Sequence, residues 1–249
     1  MRALLLAAGY GTRLCPLTDY RPKAMVEIAA RPMIDYSLDW LRRHGVDHVA
    51  INLHHMPGPL RKHVGDGSSF GLSVTYSYEP ELLGSAGALV PLRSFFSDST
   101  PFIVLYGDVL TDIDLSLVID KHERLEADAT LVVTRTDEPT RCGVVEMNRA
   151  GRVSRLVEKP SFEDVRSEWV NGGVYVCSSS VLDAIPLDCP VPYDFAGDLF
   201  PRMISAGANV VGYPTEELVL DVGSHDRLAA AADAVKNRCL DSVGERMIC

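Results

Sequence analysis

Two cations, two aspartates and a glycine-rich turn are the residues of this chain whose types and spacing could do chemistry. The turn is Gly9-Tyr10-Gly11-Thr12-Arg13, and it follows an apolar run, Ala3-Leu4-Leu5-Leu6-Ala7-Ala8. A run of that length ending in closely spaced glycines predicts a buried strand opening into a loop where backbone N–H groups can approach a ligand. Arg13 and Lys23 bring positive charge to that loop. Exposed amides beside fixed cations suit a polyphosphate, whose oxygens need many donors. Asp108 follows the buried run Phe102-Ile103-Val104-Leu105-Tyr106-Gly107, and Asp221 follows Leu218-Val219-Leu220 and precedes Val222-Gly223. A lone aspartate after a strand is often a turn former. Two of them beside a phosphate loop are what a triphosphate-bound magnesium ion needs, since it takes one or two carboxylates plus phosphate oxygens and waters.

The turn fits neither of two common phosphate-binding patterns. A dinucleotide fingerprint needs a third glycine, where Leu14 stands, and a carboxylate at the end of the second strand, where Val49-Ala50-Ile51-Asn52-Leu53 supplies none. A nicotinamide-dependent oxidoreductase is disfavoured for that reason. The Walker pattern needs a Gly-Lys-Ser/Thr that does not follow. What stands here is Gly-x-Gly-Thr-Arg-Leu-x-Pro-Leu-Thr and then Arg-Pro-Lys-Ala-Met-Val-Glu-Ile. This resembles the signature of the sugar-1-phosphate nucleotidylyltransferases, the NDP-sugar pyrophosphorylases, and the resemblance runs from Leu4 to the helix after Gly223.

The resemblance implies a role for each matching position. Arg13 and Lys23 become the catalytic cations on the triphosphate. Leu6, Ala8, Gly9, Gly11, Thr12, Glu79, Gly87 and Asp108 bind the nucleotide, with the base against Glu79–Leu89. Gly87 is the foremost candidate there, in a glycine-rich turn that lets backbone meet a base edge. Gly143, Glu158, Lys159 and Asn171 bind the sugar phosphate, and Asp108 with Asp221 holds Mg2+. Lys159 precedes Pro160, which disfavours helical geometry and predicts a lysine projecting from a strand end. The reaction implied is attack by a sugar-1-phosphate oxygen on the α-phosphorus of an NTP, and a phosphate monoester is already ionised at neutral pH, its second pKa being about 6. No general base is needed, in keeping with the lack of a convincing His–Asp or Ser–His pair.

Within the family, Glu79–Leu89 and Arg141–Pro160 most resemble mannose-1-phosphate and heptose-1-phosphate guanylyltransferases, which implies GTP. Arg21–Ile28 also resembles glucose-1-phosphate cytidylyltransferases, and Gly65–Gly71 resembles N-acetylmuramate-1-phosphate uridylyltransferases, so UTP, CTP or dTTP with another sugar-1-phosphate stays open. Ala24, Cys15, Ala30 and Val219 depart from the family's usual residues, and none removes a charge assigned to chemistry. A non-catalytic nucleotide-sugar-binding regulatory subunit should have lost a metal aspartate or a loop cation, yet Arg13, Lys23, Asp108, Lys159 and Asp221 are all present.

The elements that must position these residues read as α/β. Strand-like runs at 3–8, 48–53, 73–77 and 101–106 alternate with helices near 33–44, 57–63 and 86–92, which predicts a parallel sheet with helices on both faces and ligands at the strand ends. From about 128 the pattern shifts to strands joined by turns (Ala129–Thr134, Val144–Met147, Val153–Glu158, Gly173–Val176), then a helix near 196–206, a strand near 209–213 and a helix near 225–237. The expectation is a Rossmann-like three-layer sandwich with a mostly parallel mixed central sheet and a smaller antiparallel sugar-binding insertion. It reads as a single nucleotidyltransferase domain over 1–249, with a nucleotide-binding part at about 1–125, a sugar-binding part at about 126–215 and a closing strand and helix at about 216–238. Ser161–Ser167 reads as a surface loop. Asp112 and Asp114 read as caps of a following helix, Asp194–Phe200 as a cap with a packing face, Gly84-Ser85 as a helix cap, and His54, His55 and His225 as loop or cap residues.

Bulk properties agree with a soluble enzyme. The 249 residues are 47% hydrophobic and 23% charged, enough for a sizeable core, and the formal charge of −10 excludes a general nucleic-acid binder. The apolar start is too short for a membrane span and lacks the shape of a signal peptide, which points to the cytoplasm. Six scattered cysteines without a C-x-x-C pair read as reduced thiols, Cys177 in the core and Cys249 exposed. The C-terminal hexapeptide β-helix that many family members carry leaves no trace here, and the family resemblance implies a homodimer.

Overall fold

The computed structural model describes residues 1–98, 101–186 and 188–238; Cys249 lies outside them. Its strands, in chain order, are β1 (Arg2–Leu6), β2 (Glu27–Ile28), β3 (Arg31–Pro32), β4 (His48–Leu53), β5 (Ser73–Tyr78), β6 (Phe102–Tyr106), β7 (Val109–Thr111), β8 (Ala129–Arg135), β9 (Gly143–Met147), β10 (Val153–Glu158), β11 (Trp169–Cys177), β12 (Val210–Pro214) and β13 (Val219–Asp221). The α-helices are α1 (Met33–Arg43), α2 (Pro57–Val64), α3 (Arg93–Phe96), α4 (Leu115–Arg124), α5 (Ser180–Ala184), α6 (Phe200–Ser205) and α7 (His225–Arg238).

Successive residues of a strand face opposite sides of a sheet, and in β1 both sides are apolar. Leu4 packs with Val104, Tyr175, Phe195 and Phe200 on one face. Ala3 and Leu5 pack with Ile34, Leu38 and Leu41 of α1 and Leu115 and Val118 of α4 on the other. This double burial produces the three-layer sandwich. The central sheet has nine strands in the order β10-β9-β11-β6-β1-β4-β5, with β8 joining β11 and β12. β6, β1, β4 and β5 are parallel. β11 enters antiparallel to β6, β8 and β9, and β9 pairs antiparallel with β10. The antiparallel part is thus an extension of the same sheet, and no β-helix occurs among the described residues.

Several local expectations are corrected. The first strand ends at Leu6, because the Ala7 N–H leaves the ladder and donates to the Asn52 side chain at 2.7 Å. The segment near 86–92 is a 3-10 helix (Gly87–Leu92) running into α3, since Pro91 lacks the N–H that an α-helix needs there. The helix near 196–206 begins as a π-turn (Phe195–Leu199) before α6. Asp114 caps α4 by accepting the Ser116 N–H, whereas Asp112 accepts the Leu218 N–H at 2.8 Å and so holds the lead into β13. β11 is longer than 173–176, with a register irregularity between Asn171 and Tyr175. The ribbons β2–β3 and β7–β13 arise from pairings that alternation alone does not reveal.

His122 of α4 is buried between Thr130 Oγ1 at 3.1 Å and Ser178 Oγ at 3.0 Å. Ser178 already donates to the Ala127 carbonyl, so its oxygen accepts from Nε2–H. Burial pushes the His122 pKa down to about 4. As pH falls below the ordinary histidine range, the unfolded chain takes up a proton that the fold refuses, so stability falls until about pH 4. Urea unfolding at pH 7 and pH 5 is expected to show about 2 kcal/mol of this loss, and a smaller one in His122→Gln.

Candidate functional site

The parallel half of the sheet ends in a cavity of about 510 Å³. Its floor and one wall come from the first loop: Leu6, Ala7, Ala8, Gly9, Tyr10, Gly11, Thr12 and Arg13, joined by Lys23. Gly11 sits at φ +68°, and a Cβ there would lie 2.9 Å from Lys23 Cβ and Thr18 Cγ2. Glycine is therefore what lets the lysine stem pass beneath the loop. The loop is pinned at three further points. Thr18 Oγ1 donates to the Gly11 carbonyl at 2.9 Å. Asn52 accepts from Ala7 and donates to Glu79 Oε1 at 2.9 Å. Tyr10 OH bonds His54 Nε2 at 2.8 Å, and His54 Nδ1 meets the Glu79 carbonyl at 2.8 Å. His54 thus braces the loop, while His225 Nε2 contacts the Cys15 carbonyl.

The opposite wall carries Glu79, Leu82, Gly84, Ser85, Pro192 and Asp194. Gly87 does not line the cavity: it is buried behind this wall with its N–H on the Tyr193 carbonyl at 2.9 Å. Gly84 takes the cavity-lining position, at φ +84°, where a Cβ would stand 2.5 Å from the Tyr193 backbone. Ser85 does not cap the 3-10 helix. Its N–H and Oγ–H both donate to Asp194 Oδ1 at 2.8 Å, and its Oγ accepts the Phe195 N–H. Gly84→Ala combines a strained φ with a backbone clash and is expected to cost more than about 2 kcal/mol, read as a lowered thermal midpoint.

Asp108 stands where β6 ends, and Gly107 lets that end approach β1: the Gly107 N–H donates to the Leu6 carbonyl at 2.9 Å. The Asp108 carboxylate is ion-paired to Lys23 Nζ. Asp221 is brought beside it by the β7–β13 ribbon, in which Asp221 faces Val109 and the Val222 N–H donates to the Asp108 carbonyl at 2.7 Å. The ribbon can lie on β11 because Gly172 and Gly173 have no side chains; Cβ atoms there would meet Val219 and Val109 at 3.0 and 3.1 Å. Burial, then the charge of Asp108, raises the Asp221 pKa, against the pull of Lys23, Arg227 and Arg13. Asp221 Oδ1 is enclosed with no hydrogen-bond partner. A Cβ on Gly223 would lie 2.8 Å from the Arg13 guanidinium and 2.9 Å from that oxygen, so glycine leaves open a space between cation and carboxylate. Two neighbouring carboxylates, one with an orphaned oxygen, fit a divalent cation whose remaining ligands are phosphate and water. Among the described residues no group of three or more His, Cys, Asp or Glu gathers into a metal cluster.

A second cluster lies off the cavity on the antiparallel strands. Glu158 of β10 faces Gly143 of β9, whose missing Cβ would stand 2.9 Å from Glu158 Oε2 and 3.5 Å from Asn171 Cβ. Lys159 is 68% exposed, with Nζ 3.2 Å from Glu158 Oε1. It departs from the extended geometry expected of a residue before proline: its φ is +46° and its N–H donates to the Cys142 carbonyl at 2.9 Å. A β-carbon in that conformation before proline stores strain of about 1–3 kcal/mol, and it turns the lysine off the strand axis.

Nine of the residues assigned to nucleotide or catalysis therefore share one cavity, with Asp221 beside it and the four sugar-phosphate candidates grouped beyond the ribbon. Sequence reasoning missed Asn52, Tyr10, Tyr106 and Asp194, whereas Gly84 and Ser85 fall within the Glu79–Leu89 segment it set against the base. Asn52 carried a signal, a polar residue within the otherwise apolar run of β4; Asp194 did not, since it reaches Ser85 across a long loop.

Comparison with known proteins adds the family. The family described as nucleotidyl transferase matches residues 2–238. The chain is 36% identical over 220 residues to a UTP–glucose-1-phosphate uridylyltransferase of Synechocystis, covering 83% of this chain and 56% of that protein. It is 36% identical over 210 residues to mannose-1-phosphate guanylyltransferase 1 of Arabidopsis thaliana, covering 83% and 57%. The chain thus spans a little over half the length of these curated relatives. In fold it matches the crystal structure of a UDP-glucose pyrophosphorylase complexed with UDP-glucose, with a TM-score of 0.79 at 20% identity, over 95% of this chain and 98% of that one.

Proposed function

The chain belongs to the nucleotidyl transferase family, and from that premise we propose that it joins a nucleoside triphosphate to a sugar-1-phosphate, giving an NDP-sugar and pyrophosphate. The observation that carries this reading is the convergence of the phosphate loop, the Lys23–Asp108 pair and the partnerless Asp221 oxygen at the end of the parallel strands. The sugar-phosphate oxygen bonds to the α-phosphorus as the bond from that phosphorus to the bridging oxygen breaks, and the electron pair leaves with pyrophosphate. Arg13 and the loop amides hold the triphosphate and offset the growing charge on the leaving group, and Lys23 holds the phosphates at the reacting centre. Lys159 and Asn171 hold the incoming sugar phosphate, with Glu158 placed for its hydroxyls. Asp108 and Asp221 would hold Mg2+, which when bound neutralises phosphate charge and polarises the α-phosphoryl group. Catalysis then rests on positioning and preorganised charge, with no proton to remove.

The preferred substrates are GTP with mannose-1-phosphate or heptose-1-phosphate, in line with the guanylyltransferase relative. UTP with glucose-1-phosphate is the second reading, favoured by the uridylyltransferase relative. Among the described residues no helix is long and apolar enough to cross a membrane, and a cytoplasmic setting supplies both substrates. Incubation with Mg2+, each of GTP, UTP, CTP, dTTP and ATP, and a panel of sugar-1-phosphates is expected to release pyrophosphate with one preferred pair. Binding of nucleotide sugar without release from any pair would instead support a regulatory subunit.

A further inference from the structure

The nucleotide cavity and the sugar cluster are joined through the core by two tyrosines. Tyr106, at the end of β6, lines the cavity. Its ring meets that of Tyr175 on β11 edge-on, at 5.9 Å between centroids. Tyr175 is fully buried and packs against Phe195 and Phe200. Its oxygen accepts from Asn171 Nδ2 at 2.7 Å. Tyr106 thus spans from the ring of Tyr175 to the cavity wall, where Ser85 is bound to Asp194. Asn171 is therefore linked to the cavity by one hydrogen bond and one edge-on ring contact.

Packing does not explain the Tyr175 hydroxyl. Phenylalanine would fill the same space beside Phe195 and Phe200, and a phenol in an apolar core costs free energy unless its O–H is partnered. What the Tyr175 hydroxyl does is fix Asn171. That residue borders the irregularity of β11, which falls between Asn171 and Tyr175. Oδ1 accepts the Gly173 N–H at 3.2 Å and one Nδ2 hydrogen goes to Tyr175. The amide thus has one orientation, with one N–H and further acceptor capacity left for a ligand.

We propose that Tyr175 is a positioning residue for the sugar, holding the Asn171 amide in its binding orientation, and that Tyr106 ties this orientation to the Ser85–Asp194 wall of the nucleotide cavity. This rests on the reading of Asn171 as a sugar-phosphate ligand. Its consequence is reciprocal coupling: a nucleotide that orders the Ser85 wall favours the Asn171 orientation that the sugar needs, and the sugar favours the nucleotide by the same factor.

The test takes the NTP and sugar-1-phosphate pair that gives the fastest pyrophosphate release, and compares the wild type with Tyr175→Phe, Asn171→Ala and the double variant. Tyr175→Phe is expected to raise the KM for sugar-1-phosphate about tenfold, the effect of one lost hydrogen bond, with the KM for NTP changed by less than about twofold. Because Tyr175 acts through Asn171, the double variant should be no worse than Asn171→Ala alone. Additive losses, or an unchanged sugar KM in a folded Tyr175→Phe, overturn the inference. Should Tyr175→Phe fail to fold by thermal melting, Tyr106→Leu decides: it removes the ring packed against Tyr175, the sugar KM is expected to rise although the substitution lies on the nucleotide side, and an unchanged value overturns the inference. A wild type that releases no pyrophosphate from any pair removes the transferase reading and this inference with it; an active wild type with unaltered variants removes this inference alone.

Discussion

Asp221→Asn is expected to lower pyrophosphate release by about a hundredfold to a thousandfold while leaving the thermal midpoint at or above that of the wild type. The substitution keeps the shape of the side chain and the β7–β13 pairing, in which Asp221 faces Val109. It removes only the charge. That charge is disfavoured by burial and by Asp108, which together raise the Asp221 pKa, and its Oδ1 has no protein partner. An isolated fold would gain by losing it. A carboxylate kept at a cost to stability, with an oxygen left open, is what a cation site requires. A drop in both activity and midpoint would mean that Asp221 serves the fold and would count against the metal assignment. Titration with Mn2+ in the presence of NTP, followed by electron paramagnetic resonance, supplies a readout independent of turnover: binding is expected to weaken in Asp221→Asn.

Lys23→Met is expected to cost about a hundredfold in rate, mostly through a raised KM for NTP. The methionine stem still fills the space under Gly11, where the lysine stem passes, so the loop keeps its support. What goes is the ammonium paired with Asp108. Asp108 then faces Asp221 without its cation, and two carboxylates repel at the point where phosphate must enter. Lys23→Arg is expected to recover part of the loss, since it restores charge without the compact geometry of an ammonium. Equal rates in the wild type and Lys23→Met would remove the lysine from the reaction.

These residues differ in how far the sequence exposes them. The phosphate loop is legible because its cause is local: a buried run, then glycines, then a cation, within 13 positions of the first residue. Asp108 is legible in the same way, as the polar residue ending an apolar strand. The three-layer sandwich follows from strands apolar on both faces, as in Leu4 and Leu5 of β1. What is not legible is long-range. The sequence names Asp108 and Asp221 together, but not the means that brings them together, a ribbon joining segments over a hundred residues apart with Gly172 and Gly173 making room for it. The Glu79–Leu89 segment shows a local signal overridden by packing: Gly87 looked suited to touch a base, but the Tyr193 carbonyl draws its N–H inward and leaves Gly84 and Ser85 at the surface of the cavity. Lys159 shows a local rule overridden by a single hydrogen bond to Cys142.

Transfer of the α-phosphoryl group is the central claim, and isotope labelling tests it most directly. Wild-type protein is incubated with Mg2+, the preferred sugar-1-phosphate and NTP labelled either at the α- or at the γ-phosphorus, and the products are separated. The account predicts α-label in the NDP-sugar, γ-label in pyrophosphate, and neither product in Asp108→Ala. Label from the γ-position on the sugar, or α-label released as free mononucleotide, would contradict it.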